Sequence, residues 1–223
     1  MSGNIKITQF INTPVPSNTF LVCKENTGSC IVIDPGSNDE SELLSFILGN
    51  RLQVDYIILT HEHFDHCWGV NQLLEKTDAR VICTKSCAKK VCEPTNYFNK
   101  FYFDSEETYA VNRVDVTIED LGYEIDWQSI KIRFIETKGH SPYGMCISIN
   151  NNLFTGDTLL LNTKPVQLKR NGASNVDLKE SLIRIYSSYP SDTKVYPGHG
   201  TPFLLHESQA FYERYFNVNL RQL

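Results

Sequence analysis

Apolar and polar positions change rhythm several times along the chain, and each change marks an element. Residues 19–24 (TFLVCK) and 30–34 (CIVID) are rich in β-branched and apolar types and flank a Gly-containing turn, which predicts a hairpin. Asp34-Pro35-Gly36 breaks the second strand. Across residues 40–49 the spacing puts Leu43, Leu44, Ile47 and Leu48 on one helical face, and Gly49-Asn50 stops that helix. Residues 56–60 (YIILT) are apolar without alternation, the pattern of a central strand buried on both faces, and the run leads straight into His61. Residues 68–76 read as helix, 81–84 as strand and 85–93 as helix.

From about 94 to 128 the pattern loses its period. Tyr97, Phe98, Phe101, Tyr102 and Phe103 come first and acids follow. The segment reads as a surface excursion whose rings pack back on the core, with a lid or substrate wall as the functional alternative. Regularity returns at 130–136 (IKIRFIE), where apolar and charged residues alternate as in a half-exposed strand. Residues 145–149 and 153–155 predict a hairpin through Asn150-Asn151-Asn152. A helix over 177–187 carries Leu178, Leu182, Ile185 and Tyr186 on one stripe. A short strand at 193–196 and a last helix at 207–217 complete the series. Strand-heavy halves, each with helices, predict an α/β (α+β) fold of two sheets packed between helices. Residues 1–223 read as a single domain.

Composition narrows the function classes. The apolar share is 41% and the net charge −5, which argue against nucleic acid or an anionic membrane as partner. No apolar run approaches the roughly 20 residues that span a bilayer. The N-terminal segment has no basic stretch followed by a long apolar one, so no signal peptide is expected. Seven cysteines, an odd number, then read as free thiols in a reducing cytoplasm. Cys83, Cys87 and Cys92 lack the second pair of a zinc knuckle and read as packed small hydrophobes. Nothing in the pattern sets an oligomeric state.

The chemistry is concentrated at strand ends. Three of the six histidines lie in Thr60-His61-Glu62-His63-Phe64-Asp65-His66. Three imidazoles and an acid crowded at one strand end are costly unless paired or metallated. His61 and His63, two apart in extended chain, face one point. Asp65 and His66 follow as the chain turns and face a second point close by. Lys138-Gly139-His140-Ser141-Pro142, Phe154-Thr155-Gly156-Asp157-Thr158 and Pro197-Gly198-His199-Gly200 each follow a predicted strand. Imidazole and carboxylate together suit zinc, iron and manganese. Asp34 reads equally as a turn former before Pro35 and as a carboxylate orienting a metal-bound histidine.

This set, His61-x-His63-x-Asp65-His66 with His140, Asp157 and His199 in that order, resembles the metallo-β-lactamase superfamily from the Asp34-Pro35-Gly36 turn to the Pro197-Gly198-His199-Gly200 turn. Thr60-His61, Gly139-His140-Ser141-Pro142-Tyr143-Gly144 and Phe154-Thr155-Gly156-Asp157-Thr158-Leu159 are most similar to its glyoxalase II (hydroxyacylglutathione hydrolase) branch. The resemblance implies a four-layer αββα sandwich and two divalent metal ions, zinc first, with iron or manganese open. It implies one ion on His61, His63 and His140, another on Asp65, His66 and His199, and Asp157 bridging. It further implies that the ions share a water whose pKa falls toward about 7, giving hydroxide at neutral pH, with Asp65 orienting it.

The implied reaction is cleavage of a small acyl thioester. A lactonase or other ester hydrolase of the same fold is the alternative. A mononuclear-iron persulfide dioxygenase shares the fold but uses two histidines and an aspartate, fewer ligands than the seven here. Glyoxalase II proteins carry a Gly-rich basic segment soon after the Gly-Asp-Thr motif. Here Lys169 and Arg170 stand in that region as candidate contacts for a carboxylate or phosphate, with Tyr143 as a further candidate substrate contact. The helical C-terminal glutathione domain of the longer family members has no counterpart in these 223 residues.

Overall fold

The computed structural model describes residues 3–38, 42–119, 122–169 and 172–221. The chain forms two compact units, the first ending at Ile118 and the second beginning at Glu119.

The first unit is built on a six-stranded mixed sheet of β1 (Ile5–Ile11), β2 (Asn18–Lys24), β3 (Ser29–Ile33), β4 (Gln53–Ile58), β5 (Arg80–Thr84) and β6 (Val116–Ile118), in that spatial order. β1, β2 and β3 pair antiparallel, as short connections allow. From β3 onward all pairs are parallel, and parallel neighbours need crossovers. These are supplied by α1 (Glu42–Gly49), then α2 (Phe64–Cys67) with α3 (Val70–Lys76), then α4 (Lys85–Val91) with α5 (Tyr97–Phe103). Ile31, Ile33, Ile57, Ile58 and Val81 are fully buried, which is why β3 to β5 read as unbroken apolar runs. Ile33 stands opposite Ile58 in the register, and the Asp34 N–H donates to the Ile58 carbonyl at 3.1 Å. Asp34 and the segment leading to His61 therefore leave the same sheet edge, beyond the carboxyl ends of parallel strands, where open α/β sheets build their sites.

The second unit has its own six-stranded mixed sheet, ordered β12 (Phe203–Leu204), β11 (Lys194–Pro197), β10 (Asn152–Gly156), β9 (Met145–Ile149), β8 (Ile130–Glu136), β7 (Glu124–Trp127). Only β10 and β11 are parallel, and α6 (Asn175–Ser188) is their crossover. The α6 stripe of Leu178, Leu182, Ile185 and Tyr186 is buried in one core with Leu153, Val195 and Tyr212, the last from α7 (His206–Phe216). Gly156 pairs with Pro197, so Asp157 and His199 emerge together. Glu136 pairs with Met145, which puts the His140 loop at that same edge.

The predicted elements appear with their ends adjusted by a few residues, two mixed sheets with helices among them. The irregular 94–128 segment is divided instead of forming one excursion. Its first part holds α5, and β6 and β7 are edge strands of the two different sheets. β1, also unassigned from the pattern, alternates Ile5, Ile7, Gln9 and Ile11 against Lys6, Thr8 and Phe10 along the other edge of the first sheet. The helix predicted over 40–49 is present from Glu42, and its expected start lies outside the described residues. Among the described residues no helix is long and apolar enough to cross a membrane.

Candidate metal centre

In the first unit the ligand cluster forms where β4 ends. The chain passes Leu59, bends through Thr60, His61 and Glu62, is extended at His63 (φ −65°, ψ 143°), then closes the single helical turn α2. The His66 N–H donates to the His63 carbonyl at 3.0 Å, so Asp65 and His66 sit on that turn. Gly36 makes room for it: a Cβ there would lie 1.8 Å from the Asp65 carbonyl oxygen. Ser17 Oγ also donates to this carbonyl. The ring packing is close, with the His61 and His66 centroids 4.3 Å apart.

Asp34 determines how these rings are protonated. It is buried, in left-handed backbone (φ 53°), and its Oδ1 accepts from the Thr60 N–H at 2.7 Å. Its Oδ2 accepts from Thr60 Oγ1 at 2.6 Å and lies 3.0 Å from His66 Nδ1. A carboxylate only accepts, so His66 carries its proton on Nδ1 and Nε2 bears the lone pair. The single Thr60 hydroxyl proton goes to Asp34. Thr60 Oγ1 therefore accepts from His61 Nδ1, 2.9 Å away, and His61 also presents a bare Nε2. That nitrogen lies 3.1 Å from His63 Nδ1. Donor atoms of Asp34, His61 and His66 all fall within 4.8 Å of one another. Asp34 thus stands at the turn before Pro35 with its carboxylate facing His66 Nδ1. Thr60, read from the sequence only as part of the motif at His61, joins Asp34 to His61, and a lone hydroxyl closing the apolar Tyr56–Leu59 run is its visible signal.

In the second unit the same logic applies to His140. Its Nδ1 lies 2.7 Å from the Val166 carbonyl, an acceptor, so Nε2 is again the bare nitrogen. Its loop is pinned by α6: the Ser174 N–H donates to the Gly139 carbonyl at 2.8 Å, and Ser181 Oγ donates to the Lys138 carbonyl at 2.7 Å. Gly139 adopts φ +142°, and a Cβ would lie 2.4 Å from the Leu178 Cα. Asp157 Oδ2 stands 3.4 Å from His140 Nε2 and 3.4 Å from His199 Nε2, one carboxylate oxygen between two imidazoles. The Gly198 N–H donates to the Gly156 carbonyl at 2.7 Å and holds those two turns together.

The candidate substrate contacts are less built. Lys169 is exposed, on the segment that begins at the Val166 carbonyl partnering His140. Arg170 lies outside the described residues. Tyr143 is half-buried, its N–H donating to Ser141 Oγ at 2.9 Å. Of the unassigned aromatics, Phe98 stacks on Phe64 at 3.7 Å between ring centroids, and Phe64 stands between His63 and Asp65 in the chain. Phe101 and Tyr97 are exposed. Cys83 and Cys87 are fully buried in the first unit, as packed hydrophobes are, whereas Cys92, expected to pack in the same way, is exposed at the end of α4.

The donor set fits divalent transition metals. Ligands about 2.0–2.1 Å from a tetrahedral zinc lie about 3.3–3.4 Å apart. The donor pairs within the two units lie at 3.1 Å (His61–His63), 3.5 Å (His66 Nε2–Asp65 Oδ2), 3.4 Å (His140–Asp157) and 3.4 Å (His199–Asp157). Neutral imidazoles and carboxylates are ordinary ligands for zinc, iron or manganese.

The sequence matches the family model of the metallo-β-lactamase superfamily over residues 12–199. A protein of Bacillus velezensis, "Probable polyketide biosynthesis zinc-dependent hydrolase BaeB", is 29% identical over 185 residues, 81% of this chain and 71% of its own. A hydroxyacylglutathione hydrolase of Klebsiella pneumoniae is 30% identical over 142 residues, 64% of this chain and 47% of its own. Among solved structures, the BLEG-1 B3 metallo-β-lactamase superposes with a TM-score of 0.81 at 19% identity, covering 92% of this chain and 97% of that one, a likeness of fold. With a match running through both units, two mixed sheets, and histidine and aspartate donors spaced as metal ligands, the chain belongs to the metallo-β-lactamase superfamily and is a metal-dependent hydrolase of that family.

Proposed function

We propose that the chain is a binuclear metallohydrolase cleaving the thioester of a small acyl-thiol substrate. The observation that carries the binuclear reading is the common donor spacing of 3.1–3.5 Å in both units. In this reading His61, His63 and His140 hold one ion, Asp65, His66 and His199 the other, and Asp157 is shared. Zinc is the first choice, with iron and manganese compatible with the same ligands. When bound, two such ions supply Lewis acidity toward a carbonyl and an activated water at neutral pH.

The chain's own residues do the rest. Asp34 and Thr60 keep His61 and His66 in the tautomer that offers Nε2, and the Val166 carbonyl does so for His140. Asp65, its carboxylate 3.5 Å from His66 Nε2, is the group suited to orient the attacking water and take its proton. Lys169 and Arg170 are the cations suited to an anionic thiol carrier, with Tyr143 beside the His140 turn. The thioester preference is supported by the glyoxalase II-like motifs and by the hydroxyacylglutathione hydrolase among the relatives. Lactone or oxygen-ester hydrolysis is the second reading, since it uses the same metals and differs in the pocket alone.

The test is a substrate panel: thiol release from S-D-lactoylglutathione and other acyl thioesters, run beside lactones and oxygen esters of matched acyl groups. A kcat/KM at least tenfold higher for thioesters is expected. Faster turnover of lactones or esters would move the assignment to the second reading. Oxygen consumption with a persulfide and no hydrolysis would overturn both.

A further inference from the structure

Away from the metal ligands, β2 and β3 carry a cysteine pair that the hydrolase reading does not use. Cys23 and Cys30 stand directly opposite one another in the antiparallel register, at the rung nearest the Thr27-Gly28 turn. Directly opposed antiparallel residues have Cα atoms about 4.5–5.5 Å apart, inside the about 4.4–6.8 Å that a disulfide spans. Both side chains point to the same face, which sets the two thiols side by side. Across the other strand boundary Cys23 faces Lys6 of β1. Cys23 is partly exposed, whereas Cys30 is fully buried, with its Sγ 3.4 Å from the Gln53 carbonyl.

We propose that Cys23 and Cys30 are a reversible redox pair, a modification site at which a small-molecule disulfide oxidises the two thiols to an intrachain disulfide. The accessible sulfur, Cys23, attacks one sulfur of the oxidant RSSR. It forms a mixed disulfide and releases RS⁻, which takes up the proton that Cys23 lost. The Cys30 thiol then gives up its proton, its sulfur attacks Cys23 Sγ, and the second RSH leaves. Two protein thiols are oxidised and one disulfide is reduced to two thiols. The direction of attack follows from the environment. The adjacent Cys30 thiol lowers the Cys23 thiol below its ordinary range, burial opposes this, and the Lys6 cation adds to the lowering. The adjacent Cys23 thiol, burial and the nearby Asp55 carboxylate raise Cys30. Thiolate character and access select the attacking cysteine. The bridge would close only the short 23–30 turn, so it adds little of the loop-closure stabilisation that makes long-loop disulfides permanent. A disulfide with one accessible sulfur, as Cys23 provides here, is open to attack by a reducing thiol. Cys67, Cys83, Cys87 and Cys146 are buried in their cores, out of an oxidant's reach, whereas Cys92 is exposed at the end of α4 and has no place in the strand pair.

The experiment treats the folded full chain with glutathione disulfide, alkylates the remaining thiols and digests with trypsin. Lys24 lies between the two cysteines, so after cleavage there only a disulfide keeps their peptides together. The expected product is the Cys23–Cys30 linked peptide pair, lost again on addition of reduced glutathione. Cys30→Ala should stop at a glutathione adduct on Cys23, and Cys23→Ala should form neither species. Full alkylation of Cys23 and Cys30 in the treated unsubstituted chain would overturn the proposal, as would linkage of either to a different cysteine. That readout needs no variant to fold.

Discussion

Protonation at the cluster is decided by two small groups, Asp34 and Thr60. Asp34 has two oxygens and three donors to satisfy, and Thr60 Oγ1 passes its influence on to His61. Removing the carboxylate leaves His66 free to put its proton on Nε2, the nitrogen it must offer to a metal. Asp34→Ala is therefore expected to lower metal affinity about 10- to 100-fold, the usual cost of losing a group that orients a metal-bound histidine. Thr60→Val, which keeps shape and deletes the hydroxyl, should act in the same direction through His61 alone. Chelator competition on the folded variants measures both, and unchanged affinity in Asp34→Ala would remove Asp34 from the account. The metal-ligand candidates were legible in the sequence because imidazole and carboxylate types cannot be crowded cheaply. The Val166 carbonyl that orients His140 was not legible, because any residue supplies a carbonyl and only the path of the loop brings this one to 2.7 Å.

At the scale of elements, strand ends deliver the donors and helices fix the loops that carry them. α6 shows the coupling most directly. Its capping Ser174 and its Ser181 both bind the loop of His140, and Leu178 fills the space beside Gly139. Gly139→Ala must displace either α6 or the loop, at roughly 1–3 kcal/mol as overpacking usually costs. It should lower the denaturation midpoint and weaken metal binding together. A variant that loses neither would show that the close approach to Leu178 is not a constraint. Elements with a clear period, such as the 177–187 stripe and the alternating 130–136 strand, were legible within a few residues. β6 and β7 were not, because three- and four-residue edge strands pair on one side only and carry too few apolar positions to show a period. The one-turn α2 was hidden for a related reason: its residues are chosen for ligation, and no amphipathic stripe remains to betray a helix.

For the molecule as a whole, each unit buries neutral acids that cannot ionise in place. Burial pushes the Cys146 thiol up to about 12 from an ordinary value near 9 and raises Cys67, Tyr186 and Tyr212 as well, while a hydrogen bond with Cys83 and then burial raise Cys87. The unfolded chain sheds these protons first as pH rises, so it binds fewer protons than the fold and stability declines with pH. The stabilisation is complete below about pH 9 and should decline from there toward about 12, each titrating group contributing at most about 1.4 kcal/mol per pH unit. Denaturant midpoints taken at neutral and strongly alkaline pH check this, and a flat profile would contradict the buried placement of these groups.

The proposed function stands on two ions that have Asp157 in common. Elemental analysis of the chain purified without added metal, alongside Asp157→Ala prepared in the same way, tests it most directly. About two divalent ions per chain, and the loss of at least one in Asp157→Ala, is the result the account predicts. A single ion per chain, or two ions retained in Asp157→Ala, would contradict it.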